Sequence, residues 1–271
     1  MRFYFFILGY FFTIFGIGQE LPPIIKYNTS TYLAGNQNWM ISQDKKQFVY
    51  FANNEGLLEF NGTNWSLYKS PNETIIRSVN VIDNKIYTGC YMEFGFWERL
   101  KNGRLKYTSI SQKIKSKIID DEQFWNIMNY DQWVIFQSLN RIYIYDTKAE
   151  KFKIIAPQNN ILKSFKTVNS IYYQTLNQGL FEIENGTSKL VSNNLILKNN
   201  KIVNVFAIEE GLLIHTQFNG FYKLVNGNLT KFNTEADSEI VSSSIYSSQM
   251  LSDGSFAIGT ISNGVFIVTK E

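Results

Sequence analysis

One motif recurs along this chain about every forty residues, and that period restricts the fold more than any other feature of the 271-residue sequence. A strand-like run ends in a polar loop, a glycine follows, and a large apolar residue opens a second strand. The motif stands at Asn53-Asn54-Glu55-Gly56-Leu57, Met92-Glu93-Phe94-Gly95-Phe96, Leu176-Asn177-Gln178-Gly179-Leu180, Gln217-Phe218-Asn219-Gly220-Phe221 and Ile261-Ser262-Asn263-Gly264-Val265. A sixth copy, Gln137-Ser138-Leu139-Asn140-Arg141-Ile142, has Asn140 in the glycine position. Asparagine is the next residue to tolerate a left-handed backbone, so a left-handed turn is expected there too. The anchors 56, 95, 140, 179, 220 and 264 lie 39, 45, 39, 41 and 44 residues apart.

Each unit reads as four short strands. In the first, Trp39 to Gln43, Phe48 to Ala52, Leu57 to Phe60 and Trp65 to Tyr68 are separated by turns. Asn61-Gly62, Asn102-Gly103, Asn185-Gly186, Asn226-Gly227 and Asp253-Gly254 punctuate hairpins, because such turns need positive φ. Runs such as Val134-Ile135-Phe136 and Leu212-Leu213-Ile214 are apolar at consecutive positions, the pattern of strands covered on both faces. The 22 Phe, 16 Tyr and 5 Trp against only 4 Pro suit pleated strands. A sandwich lacks so long a super-period, a β-helix has shorter coils, and helical repeats need a 3.6-residue pattern. The expected fold is therefore all-β, a β-propeller of about six four-stranded blades.

Two longer connectors interrupt the period. Ile110, Ile114 and Ile118 are spaced four apart within Ile110 to Gln123, which predicts a short helix or loop capping one blade, with a lid or docking role as the alternative. The other, Asn233 to Ser244, is polar. The sixth unit ends at its third strand. Either Ile24-Ile25-Lys26-Tyr27 supplies the missing strand and closes a six-bladed ring, or these residues are the front part of a larger propeller.

Residues 1–18 read as a secretory leader rather than as fold, with a short uncleaved anchor or a buried strand as the alternative. Arg2 precedes an uncharged stretch from Phe3 to Ile17, which would span about 22 Å as a helix against roughly 30 Å of hydrocarbon. Gly16 and Gly18 then place small residues before a cut at Gln19. The propeller domain is expected to run from 19 to 271, in a periplasmic or secreted location. With 26 basic and 23 acidic side chains the chain is too balanced for a nucleic-acid binder held by charge. A single cysteine (Cys90) and a single histidine (His215) exclude an internal disulfide and a Cys/His zinc cage.

The units resemble the two-component-regulator propeller repeats of large bacterial sensor proteins. The resemblance rests on Trp39-Met40-Ile41-Ser42-Gln43-Asp44 running into Tyr50 to Phe60, on Leu251-Ser252-Asp253-Gly254 leading to Ile258 to Ile267, and on Glu93-Phe94-Gly95-Phe96-Trp97. It covers roughly residues 20 to 271. In that family the propeller is an extracytoplasmic sensor, followed by a triple-tyrosine immunoglobulin-like domain, a membrane helix and a helix-turn-helix or histidine-kinase output. The resemblance thus implies a ligand- or partner-sensing module of a signal-transduction or transcription-regulatory protein, with its output domains not among these residues. Contact with a membrane would come only through the leader or those downstream domains.

No catalytic residue, metal ligand or cofactor is expected from the sequence. His215 stands alone in a strand-like run and reads as a hydrogen-bonded core or channel residue, since a general base needs an orienting partner. No serine elbow, phosphate loop or zincin element is present. Asp120-Asp121-Glu122 reads as a solvated turn and Cys90 as a small buried residue. The loops between second and third strands emerge together on one face of a propeller. They carry the candidate ligand-binding residues Asn54, Glu55, Tyr91, Glu93, Asn177, Gln178, Gln217, Asn219 and Asn263. Amides and aromatics of this kind can bond to and stack on a small molecule, a glycan or a protein ligand. The rival expectation is a stand-alone lectin or polysaccharide-acting enzyme, which would need paired carboxylates or an acid–histidine pair at the channel mouth.

Overall fold

The computed structural model describes residues 25–269, so the expected leader and the start at Gln19 lie outside the described residues. Strands fall into six sheets in chain order. Blade 1 is β1 (Asn38–Gln43), β2 (Val49–Asn53), β3 (Gly56–Phe60) and β4 (Trp65–Tyr68). Blade 2 is β5 (Ser78–Ile82), β6 (Lys85–Cys90), β7 (Glu93–Arg99) and β8 (Leu105–Ser109). Blade 3 is β9 (Asn126–Tyr130), β10 (Trp133–Gln137), β11 (Ile142–Asp146) and β12 (Lys151–Ile155). Blade 4 is β13 (Ile161–Lys166), β14 (Ile171–Thr175), β15 (Gly179–Glu184) and β16 (Thr187–Ser192). Blade 5 is β17 (Ile202–Ile208), β18 (Gly211–Thr216), β19 (Gly220–Val225) and β20 (Asn228–Phe232). Blade 6 has three strands, β21 (Ile245–Met250), β22 (Phe256–Thr260) and β23 (Val265–Val268). Every pairing is antiparallel between neighbours in sequence, and the first strand of each blade touches the first strand of the next, so β1, β5, β9, β13, β17 and β21 line the centre. The fold is a six-bladed β-propeller.

Consecutive apolar residues are explained by wedges of core on both sides of a blade. Val134 and Phe136 point into the core between blades 2 and 3, whereas Ile135 between them points into the core between blades 3 and 4. Leu212 and Ile214 likewise serve the blade 4–5 core, and Leu213 the blade 5–6 core. In the blade 2–3 wedge, Phe94 stacks on Phe136 at 4.2 Å and meets Phe124 edge-on at 4.6 Å, geometries worth about 0.5–1.5 kcal/mol each beyond area burial. Ser42 Oγ accepts from Val81 N at 2.9 Å, Asn80 Nδ2 donates to Ile127 O at 3.1 Å, and Asn126 Nδ2 to Ser164 O at 3.2 Å. Lys163 Nζ donates to Val203 O at 2.8 Å and Asn204 Nδ2 to Ser248 O at 2.7 Å, so the inner strands are tied blade to blade from 1 to 6.

Connectors on one face plug these wedges. The insert after β8 forms a 3-10 helix, Ser111–Lys117, kinked at Ile114 (φ −132, ψ 24), and its isoleucine stripe is spent inward: Ile110 and Ile114 join the blade 2–3 core and Ile118 packs against it. Helix α2 (Leu195–Asn199) sends Leu197 into the blade 4–5 core, and α3 (Asp237–Ser242) sends Ile240 into the blade 5–6 core. An earlier helix, α1 (Thr29–Tyr32), precedes blade 1.

The N-terminal segment does not complete blade 6. Residues 25–28 have no strand partner, and Tyr27 packs its ring against Phe60 and Trp65 at 5.3 and 5.2 Å, on the outer half of blade 1. Tyr27 lies against aromatic surface of β3 and β4, so residues 25–27 do not supply the fourth strand of blade 6 as expected; Ile24 lies outside the described residues. Among the described residues no apolar cluster and no hydrogen bond joins blade 6 to blade 1.

Three of the five repeat glycines, Gly56, Gly95 and Gly179, answer to close approach of backbone. A Cβ on Gly56 (φ +144) would sit 2.2 Å from Tyr68 O, and one on Gly95 would sit 2.2 Å from Thr108 O. At the asparagine anchor, residue 140, the expected left-handed turn is absent. Asn140 has no positive φ, because Ser138 Oγ accepts from Asn140 N (3.1 Å) and Arg141 N (2.9 Å) and holds the loop differently.

Candidate ligand-binding face

The second-to-third-strand loops and the incoming connections share one face because adjacent backbone groups bind each other there. Asn54 N donates to Gln37 O, Arg77 N to Gly89 O, Trp125 N to Gln137 O, Leu176 N to Asn160 O, Gln217 N to Lys201 O and Ile261 N to Ser244 O. Residues 37, 77, 125, 160, 201 and 244 therefore ring the mouth of the central channel, one step before each inner strand.

The expected site residues lie on this face, distributed around the ring, and most are engaged in building it. Asn54 Oδ1 accepts from Trp39 Nε1 at 2.8 Å. Glu55 is exposed and pairs with Lys69 at 3.5 Å. Tyr91 is 38% exposed and donates its hydroxyl to Asp121 Oδ1 at 2.7 Å, an acceptor that holds the phenol above its usual range. Glu93 is buried, and its carboxylate accepts from Tyr107 Oη at 2.9 Å and Ser109 Oγ at 2.7 Å, so it secures blade 2 internally and offers nothing to solvent. Asn177 takes the left-handed turn position (φ 60), and Gln178 Oε1 accepts from Thr175 Oγ1 at 3.0 Å. Gln217 Nε2 reaches Ser244 Oγ (3.4 Å), Asn219 Nδ2 reaches Asn200 Oδ1 (2.6 Å) and Asn263 Nδ2 reaches Ser243 Oγ (2.9 Å), each tying a loop to the neighbouring connector.

A second group converges on the mouth, and the sequence reading passed over it. Trp39 occupies a bulge of β1, where the register slips between Asn38 and Met40, so its ring leaves the sheet. It meets Trp125 edge-on at 5.9 Å, a contact between blades 1 and 3 that passes over the top of β5. Arg77 packs against both rings, its guanidinium 4.2 Å from the Trp39 ring and 4.8 Å from the Trp125 ring, with Nε donating to Gln123 Oε1 at 2.9 Å. Gln123 is bridged in turn to Tyr91 through the backbone. Arg77 and Trp125 share the position immediately before an inner strand, a correspondence that aligning the repeats on their inner strands would have exposed.

The remaining polar candidates are structural. Glu122, expected on a solvated turn, is 1% exposed: Ser138 Oγ (2.5 Å) and Tyr143 Oη (2.6 Å) donate to its two oxygens and Ile119 N to Oε2 at 3.3 Å. His215 is in the core as expected but without hydrogen bonds; both nitrogens are unpartnered, and the ring stacks on Phe221 at 4.0 Å. Burial, with Lys231 and Lys163 nearby, pushes it down to about 3. Cys90 is buried, which pushes its thiol up to about 12. Among the described residues no three His, Cys, Asp or Glu side chains are grouped to hold a metal, and no helix is long and apolar enough to cross a membrane.

No family model matches the sequence, and no curated protein matches it. Solved structures do match the fold. The extracellular domain of the hybrid two-component system protein BT4673 from B. thetaiotaomicron superposes with a TM-score of 0.64 at 18% identity, over 88% of this chain and 32% of that one. The corresponding domain of BT3049 from the same organism gives 0.65 at 16% identity, over 94% and 35%. PorZ, a surface component of the type-IX secretion system of Porphyromonas gingivalis, gives 0.66 at 12% identity, over 89% and 41%. The chain thus spans roughly a third to two-fifths of these longer structures and shares the propeller fold with them.

Proposed function

We propose that the chain is an extracytoplasmic recognition propeller of a bacterial signal-transduction protein, binding a small molecule, glycan or protein ligand at the channel mouth on the loop face. The observation that carries this reading is the convergence of Trp39, Arg77 and Trp125 from three successive blades, with Tyr91 beside them. Aromatic faces and a fixed cation on a rigid scaffold are what a recognition surface requires, and they need no bond-making chemistry. The propellers of two extracellular sensor domains support the signalling context, with signal output in domains outside these residues. The enzymatic alternative finds no base in His215, whose ring is enclosed between blades 5 and 6. A panel of oligosaccharides and peptides titrated against tryptophan fluorescence tests the reading. A ligand should appear whose affinity falls at least tenfold in the Trp39→Ala/Trp125→Ala variant while the melting transition is retained. Undiminished binding by that variant would contradict it.

A further inference from the structure

Charge is sorted along the channel. The six inner strands contain no aspartate or glutamate, and the positions at the mouth contribute Arg77 and Lys201, with Lys163 on the wall below. The turns at the opposite end, between first and second strands, hold Asp44, Asp83, Asp131, Glu209, Glu210 and Asp253 against Lys45 and Lys46. Lys163 and Lys201 are close enough to repel each other. Among the described residues none of Arg77, Lys163 and Lys201 forms an ion pair with a carboxylate.

Arg77 is the most committed of these cations. A guanidinium has five N–H donors in a planar fork. Here the Nε donor is taken by Gln123 and the Trp39 and Trp125 rings both pack against the guanidinium, so the group is oriented. Among the described residues the terminal nitrogens bond to nothing, which leaves the outer edge of the fork open. Partial burial draws the guanidinium below its ordinary range, with no nearby carboxylate to restore it. A cation held this way above inner strands that carry no acidic side chain attracts an anion that can bind two parallel N–H groups.

We infer that the mouth binds a carboxylate-bearing ligand, its carboxylate received edge-on by Arg77 and its body laid against Trp39 and Trp125. This deepens the proposed function and rests on it. The carboxylate could belong to a uronic acid sugar or to a peptide-like acid, and matched probes separate the two. Galacturonate is compared with galactose, and N-acetylglycine with N-acetylglycinamide, by calorimetry and tryptophan fluorescence up to about 10 mM. In at least one pair the acid should bind ten times or more tighter than its neutral partner, and added salt should weaken it. Arg77→Gln should abolish the preference, and Arg77→Lys, which keeps charge but loses the fork, should retain only a fraction of it. Melting curves of both variants confirm that they fold. Equal affinity of acid and neutral partner in both pairs, no binding by any probe, or a preference that survives Arg77→Gln overturns the inference. A neutral ligand lost in the Trp39→Ala/Trp125→Ala variant but kept in Arg77→Gln would overturn it while leaving the mouth as the recognition site.

Discussion

A buried histidine and a half-buried lysine show how single residues carry a pH signature. His215 has both nitrogens buried and unpartnered, and its pKa stands at about 3 against an ordinary 6.5. The unfolded chain therefore takes up a proton that the folded chain refuses, so this residue's share of stability is whole above pH 6.5 and is lost as pH falls from there toward 3. His215→Phe keeps the stack on Phe221 and removes two unsatisfied polar atoms, which should stabilise the protein by about 1–3 kcal/mol at pH 7. The gain should grow at pH 5; thermal melts at the two pH values decide it. Lys163 runs the other way along the scale. Burial and Lys201 lower it from 10.5 to about 8. Its cost is full below pH 8 and is relieved as pH rises toward 10.5, so any advantage of Lys163→Met should shrink between pH 7 and 10. A constant difference across that range would show that the ammonium is well solvated. Neither environment was legible in the sequence: a histidine in an apolar strand says that it is covered, not that its nitrogens lack partners.

At the scale of elements, strands, hairpin turns and the doubly buried runs were readable because alternation, Asn-Gly pairs and glycine anchors are local signals. The insert was half readable. Its four-residue isoleucine spacing announced a buried face, and that face does close the blade 2–3 wedge, but as a kinked 3-10 helix. Ile114→Ala should cost about 2–5 kcal/mol in denaturant unfolding, as for a filled core position, whereas a loss under 0.5 kcal/mol would show that the insert merely lies on the surface. Polar loop residues were placed on the correct face, yet their bonding partners come from connectors up to 30 residues away, as with Tyr91 and Asp121. Glu93 and Glu122 were misjudged for the same reason, since their donors sit on neighbouring strands. The Trp39–Arg77–Trp125 group joins three repeats, and no window shorter than two periods contains it.

The whole molecule is uneven around its axis. Five apolar wedges join blades 1 to 6 in order, and on the outward faces of blades 1 and 6 Ile41, Val265 and Ile267 are 62, 68 and 58% exposed. Blades 2 to 5 are held on both sides and blades 3 and 4 lie farthest from the blade 6–blade 1 seam, so the amides of blades 3 and 4 should resist hydrogen exchange longest, and residues 245–268 should exchange first among the strands. Equal protection throughout would mean that the blade 6–blade 1 seam is covered in solution. The same experiment, repeated with the ligand found by titration, tests the central claim most directly. Binding should slow exchange at residues 37–39, 54–55, 77, 91 and 121–126, all at the mouth on the loop face. Protection confined instead to the turns at 44–47, 83–84, 131–132 and 252–254 would place recognition at the other end of the channel and contradict the account.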